Sequence, residues 1–203
     1  MFERFTQDAR AVVTGAVEES ERSGSGAVEV EHLLVSLAGR PGGKGAFVLA
    51  ALGLADPEGT LRAALADVRH RAGLSQAEAD ALAGLGIDVT EVVSRVEEVH
   101  GVGALSGDRR DGRWWRGHRS FSRPAKDVLE QSLRIALARR ERAIGDQHLL
   151  LALTTGRGVV AEVLADHGVT FASVTRVLGP GGAAGEGAGG REGEGEGDVR
   201  AAG

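Results

Sequence analysis

The chain has 203 residues and a net charge of −5; 42% of it is apolar, only 3% is aromatic, and it has no cysteine. Missing cysteine excludes disulfides, thiolate metal sites and a cysteine nucleophile, and the negative balance gives no general reason to expect nucleic acid. A core of Leu, Val and Ala suits helix packing better than an aromatic-rich β-sandwich.

Taken in order, Thr6 reads as the N-cap of a first helix reaching about Ser23, with Asp8 in its first turn and Val12, Val13, Ala16 and Val17 on one face. A short helix over about Val30–Ala38 follows and stops at Gly39-Arg40-Pro41-Gly42-Gly43. A third covers about Gly45–Leu52, and Asp56-Pro57 is a strong start signal for a fourth. Ser75-Gln76-Ala77-Glu78 and Asp88-Val89-Thr90-Glu91 have the form of capping boxes, so two more helices are expected over 73–100. Residues 101–119 lose all periodicity, and the Gly/Glu-rich segment 180–203 has too little apolar surface to fold, so disorder is expected there.

The strongest signal is internal repetition. Val30-Glu31-His32-Leu33-Leu34-Val35-Ser36-Leu37 returns as Asp146-Gln147-His148-Leu149-Leu150-Leu151-Ala152-Leu153, at an offset of 116 that also relates Phe5-Thr6 to Phe121-Ser122. Past a one-residue gap, Val48-Leu49-Ala50 and Gly53 match Val163-Leu164-Ala165 and Gly168. Leu82 to Ile87 echo both. The expected fold is all-α, a tandem pseudo-twofold helical repeat over 1–179. Repeat 1 spans about 2–66, extra helices and a basic connector about 67–118, and repeat 2 about 119–179.

Met1 to Arg10 is charged where a secretory signal would be apolar, and no apolar run nears the ~20 residues needed to cross a bilayer, so a cytoplasmic protein is expected. Gly39 to Gly45 imitates a phosphate-binding loop, but Ala38 stands in the first glycine position and Gly45 in that of the magnesium-binding hydroxyl. ATP hydrolysis is not expected, nor is any other catalysis or cofactor. His32 and His148 have no Cys, Asp or His at ligand spacing, and read as structural imidazoles at a helix junction rather than metal ligands.

Met1-Phe2-Glu3-Arg4-Phe5-Thr6, Glu31-His32-Leu33-Leu34 and Gly158-Val159-Val160-Ala161-Glu162-Val163-Leu164 resemble the N-terminal domain of the Clp/Hsp100 unfoldases, most closely the ClpC type. The resemblance covers about residues 1–105 and 119–179. It implies a double Clp-N motif bundle, here without the ATPase modules, that recruits substrates or adaptors to a degradation machine. It further implies that Glu31 holds the guanidinium of phosphorylated arginine, a degradation mark, with Thr6 near that pocket. In the second copy Gln147 replaces the acid and Ser122 replaces the threonine, so two inequivalent sites, or one, are expected. Phe2 and Arg10 match the region where the family's adaptors and certain cyclic-peptide antibiotics dock. The expected function is a binding module of the Clp system, a reader of tagged proteins or a decoy for the unfoldase's own N-domain. The alternative is a nucleic-acid or protein binder acting through 109–119, where Arg113-Trp114-Trp115-Arg116 interleave cations with aromatics.

Overall fold

In the computed structural model, which describes residues 2–71, 74, 76–100 and 119–179, helices start where the capping residues lie. Thr6 Oγ1 accepts the Ala9 N–H at 3.2 Å and opens α1 (Gln7–Arg22). Next come α2 (Val30–Ala38), α3 (Lys44–Ala51) and α4 (Pro57–His70), the last capped by Asp56. After α5 (Gln76–Gly84) and α6 (Val89–His100), Ser122 caps α7 (Arg123–Ala138) as Thr6 caps α1. The series closes with α8 (Asp146–Thr155), α9 (Val159–Asp166) and α10 (Phe171–Leu178). Arg113, Trp114, Trp115, Arg116 and the Gly/Glu-rich segment lie outside the described residues.

The chain is a tandem pseudo-twofold helical repeat, and the two copies agree at the level of single hydrogen bonds. The turn after α1 closes through Ser25 N–H to Ser20 O at 3.0 Å, and the turn after α7 through Glu141 N–H to Ala136 O at 2.9 Å. Both turns need a left-handed residue: Gly24 supplies it at φ 70°, and Arg140 supplies it at φ 57°, the one non-glycine with positive φ among the described residues. A side chain there costs conformational energy that glycine avoids.

The copies are clasped to each other. Phe5 bridges Ile144 and Val28 bridges Phe121, both parallel and both related by the same offset. Thr6 N–H donates to Ile144 O at 2.9 Å, while Val28 N–H donates to Ser120 O at 2.9 Å. The start of each copy is thus sewn to the loop before the leucine-rich helix of the other. Those helices, α2 and α8, are apolar around most of their circumference because they are buried on nearly all sides. Leu33, Leu34, Leu37, Leu149, Leu150, Leu151 and Leu153 form the centre of one continuous core.

Three helix corners share one turn. Leu54 N–H to Leu49 O, Ile87 N–H to Leu82 O and Val169 N–H to Leu164 O span 3.1, 2.9 and 2.8 Å, each around a positive-φ glycine: Gly53, Gly86 or Gly168. The middle corner differs in burial. Leu54 and Val169 are 5% and 1% exposed, whereas Ile87 is 43% exposed, and among the described residues none from α5 or α6 belongs to the central core.

Candidate functional site

The residues around the two histidines are placed by the α1–α2 and α7–α8 junctions. His32 Nδ1 accepts the Glu29 N–H at 2.9 Å and His148 Nδ1 accepts the Gly145 N–H at 2.9 Å, so each ring caps the start of its own helix. With Nδ1 an acceptor, the proton of the neutral ring sits on Nε2. At His32 that nitrogen meets Ser23 Oγ at 3.0 Å. At His148 it lies 3.2 Å from a Glu141 carboxylate oxygen, off line for a hydrogen bond but close enough to feel the charge. Burial pushes both imidazoles below their ordinary pKa, against the raising influence of Glu31 on His32 and Glu141 on His148. Both rings cap helix starts, and among the described residues no group of three His, Cys, Asp or Glu is disposed to hold a metal.

A cavity of about 150 Å³ opens beside Glu31, walled by α1, α2 and α4. Its polar lining is Glu19, Arg22 and Ser23 from the end of α1, Glu31 and His32 from α2, and Arg62 and Arg69 from α4. The charges are paired. Arg62 reaches Glu19 at 3.2 Å and Glu58 at 2.8 Å, and Arg22 also pairs with Glu19. Burial pushes the Glu19 carboxyl up, but the hydrogen bonds from Arg62 and Arg22 outweigh it and hold the group below its ordinary value. Glu31, its side chain 25% exposed, pairs with Arg69 and lies 3.6 Å from His32 Nε2.

Of the four residues expected to bind ligand, Glu31 lines this cavity. Thr6 is sewn to Ile144, just ahead of Gln147, and Ser122 is sewn to Val28, just ahead of Glu31. The backbone of each of these residues is thus bonded to the loop that precedes the leucine-rich helix of the other copy. Neither hydroxyl lines the cavity, and both accept bonds at their helix starts, Ser122 Oγ from the Ala125 N–H at 3.3 Å. Gln147 is buried, and its amide donates to Glu141 at 3.2 Å. Arg10 is exposed on α1, and Phe2 opens a short 3-10 helix, Phe2–Arg4; the Phe2 side chain lies outside the described set.

Sequence reasoning missed three participants. Arg69 is one, reaching Glu31 from 38 positions away. Glu141 and Arg139 are the others: Glu141 restores a carboxylate beside His148 where Gln147 had removed one, and Arg139 binds it at 3.1 Å. No periodic pattern marks these positions, although Arg139-Arg140-Glu141 is a visible run of charges.

The imitation phosphate loop has a different use. Gly45 N–H, at the start of α3, donates to the buried Asp146 carboxylate at 2.8 Å. A Cβ on Gly43 would stand 2.5 Å from the same carboxylate, so the glycine makes room for it. The chain's own anion fills the helix start where a nucleotide phosphate would bind.

The family model described as Clp repeat (R) N-terminal domain matches residues 4–98 and 120–194. Chaperone protein ClpC1, chloroplastic, of Arabidopsis thaliana is 31% identical over 180 residues, 88% of this chain. The negative regulator of genetic competence ClpC/MecB of Bacillus subtilis is 27% identical over 172 residues, 84% of this chain. The chain spans about 15% and 16% of the length of these two relatives. Among solved structures, the Hsp104 N-terminal domain from Candida albicans matches with a TM-score of 0.50 at 16% identity, covering 88% of this chain and 93% of that one. A chain of a malarial protein secretion system gives 0.52 at 11% identity, covering 87% and 92%. Likeness at such identities speaks for the all-α fold. Among the described residues no single helix is long and apolar enough to cross a membrane.

Proposed function

The chain belongs to the Clp repeat (R) N-terminal domain family, and on that premise we propose that it is a non-catalytic module which binds substrates or adaptors of a Clp unfoldase in the cytoplasm. Its ligand is the phosphorylated arginine of a tagged protein, and Glu31 takes the guanidinium. The observation that carries this reading is chemical: the Glu31 carboxylate, at the wall of an open cavity, already accepts an arginine guanidinium. Paired N–H donors on a planar cation are what a carboxylate in that position recognises.

Ser122 and Thr6 belong to the helix starts that flank the two leucine-rich helices. Their hydroxyl hydrogens and the first N–H groups of α1 suit an anion, while Pro124 leaves α7 fewer such donors. Phe2 and Arg10 are assigned to adaptor contact at the entry to α1. By binding such ligands the module serves as a reader of tagged proteins or as a decoy that competes with the unfoldase's own N-domain.

The test is a pulldown with the purified chain as bait, comparing a protein phosphorylated on arginine with the same protein dephosphorylated. The phosphorylated form is expected to be retained, and Glu31→Ala is expected to release it. Equal retention of the two forms would sink the phosphoarginine reading. Failure to enrich or displace a Clp unfoldase or its adaptor would sink the decoy reading.

A further inference from the structure

Resting on the reading of Glu31 above, we propose that Arg69 is the specificity-determining residue of that site: an internal guanidinium that admits phosphorylated arginine and turns plain arginine away. Arg69 stands in the last turn of α4 and pairs with Glu31 across the cavity. Its side chain is 53% exposed, so the pair is of the kind that opens at little cost. Among the described residues its salt bridge is to Glu31, whereas Arg22 and Arg62 are both committed to Glu19, and Arg62 to Glu58 as well. Arg69 is the cation that an incoming ligand displaces.

The consequence follows from counting pairs. A plain arginine that takes Glu31 exchanges one guanidinium for another. Arg69 is then left without its carboxylate, on a wall that already holds Arg22 and Arg62. The exchange gains nothing and adds repulsion between like charges. A phosphorylated arginine brings a cation and a phosphoryl anion on adjoining atoms. Its guanidinium N–H groups go to Glu31, and the released Arg69 turns to the phosphoryl oxygens. Two charge-assisted pairs replace one. Burial pushes the His32 pKa down, which disfavours a cationic ring that would compete for Glu31.

The second copy lacks this exchange. Arg139 is only 13% exposed, bonds Glu141 at 3.1 Å and also donates to Gly179 O at 3.0 Å, so it has no freedom to swing aside. The selective site is confined to the first copy.

The experiment titrates the full chain calorimetrically with phosphoarginine and separately with arginine, in wild type, Arg69→Ala, Arg69→Lys and Glu31→Gln. Wild type is expected to prefer phosphoarginine. Arg69→Ala is expected to bind phosphoarginine more weakly and arginine more tightly, narrowing the preference by about tenfold or more, a change of ~1.4 kcal/mol. Arg69→Lys, which keeps the charge, is expected to retain the preference, and Glu31→Gln to lose both ligands. A wild-type preference in Arg69→Ala, with binding still lost in Glu31→Gln, would overturn the role of Arg69 and leave the Glu31 site standing. Loss of the preference in Arg69→Lys overturns the charge mechanism. Absence of phosphoarginine binding in every form overturns both the selector and the reading it rests on.

Discussion

Both halves of the molecule set a carboxylate and an arginine against the ring of a capping histidine, but they assemble the trio from different places. In the first half the acid is Glu31, in the first turn of the leucine-rich helix, and its arginine comes from α4. In the second half the acid is Glu141, in the loop ahead of that helix, and its arginine is two residues away. The first pair stands at the wall of a cavity with its arginine half exposed. In the second the arginine is only 13% exposed, and the Gln147 amide also donates to the acid. Burial pushes the Glu141 carboxyl up, but Arg139 and His148 more than reverse this and leave it below its ordinary value. One half keeps an exchangeable ion pair and the other a fixed one. A duplicated unit can specialise by moving a charge a few residues while the backbone stays in register.

The comparison is sharpened most by removing the histidines. His148 is fully buried, so His148→Ala should cost about 3 kcal/mol through the cavity left and the Gly145 N–H orphaned, measured by urea unfolding. His32→Ala should cost less, because its ring borders open space. The same rings make the whole fold acid-sensitive. Their folded pKa values lie below the ordinary ~6.5, so they contribute stability at and above that pH, and the contribution is lost as pH falls below it. The melting temperature should therefore drop between pH 7 and pH 5, and His148→Phe should reduce the drop.

Breaking the two ion pairs should separate the halves next. Arg139→Ala strands the partly covered Glu141 and should cost about 2 kcal/mol. Arg69→Ala removes an exposed partner and should cost roughly 0.5 kcal/mol or less. Equal losses in chemical denaturation would show that the two pairs do not differ as described.

A further modest effect concerns the left-handed turn residue. Arg140→Gly should stabilise the chain by about 0.5–1 kcal/mol, and Gly24→Ala should destabilise it by about 1 kcal/mol, both read from shifts in the melting temperature.

Much of this was legible in the residues. The repeated Glu31-His32-Leu33-Leu34 and Gln147-His148-Leu149-Leu150 gave the two central helices, since a helix apolar on most faces has to be interior. Thr6, Asp56 and Asp88 marked helix starts because each side chain can hold a free N–H nearby. His32 and His148 were expected at a helix junction, and each ring caps the start of its own helix. What escaped was every pairing across long separations. That Thr6 bonds the backbone of Ile144 and Ser122 that of Val28 depends on how the two copies pack. No local pattern encodes that choice.

By itself, then, the sequence determined the helices, their caps, the repeat and the family, because these follow from periodicity and from hydrogen bonds that close within four residues. Only the tertiary structure decided what stands beside Glu31. It brought Arg69 in from α4, set Asp146 into the start of α3 and replaced the lost acid of the second copy with Glu141. Charges find partners through space, and a site built from such partners is fixed only when the helices pack.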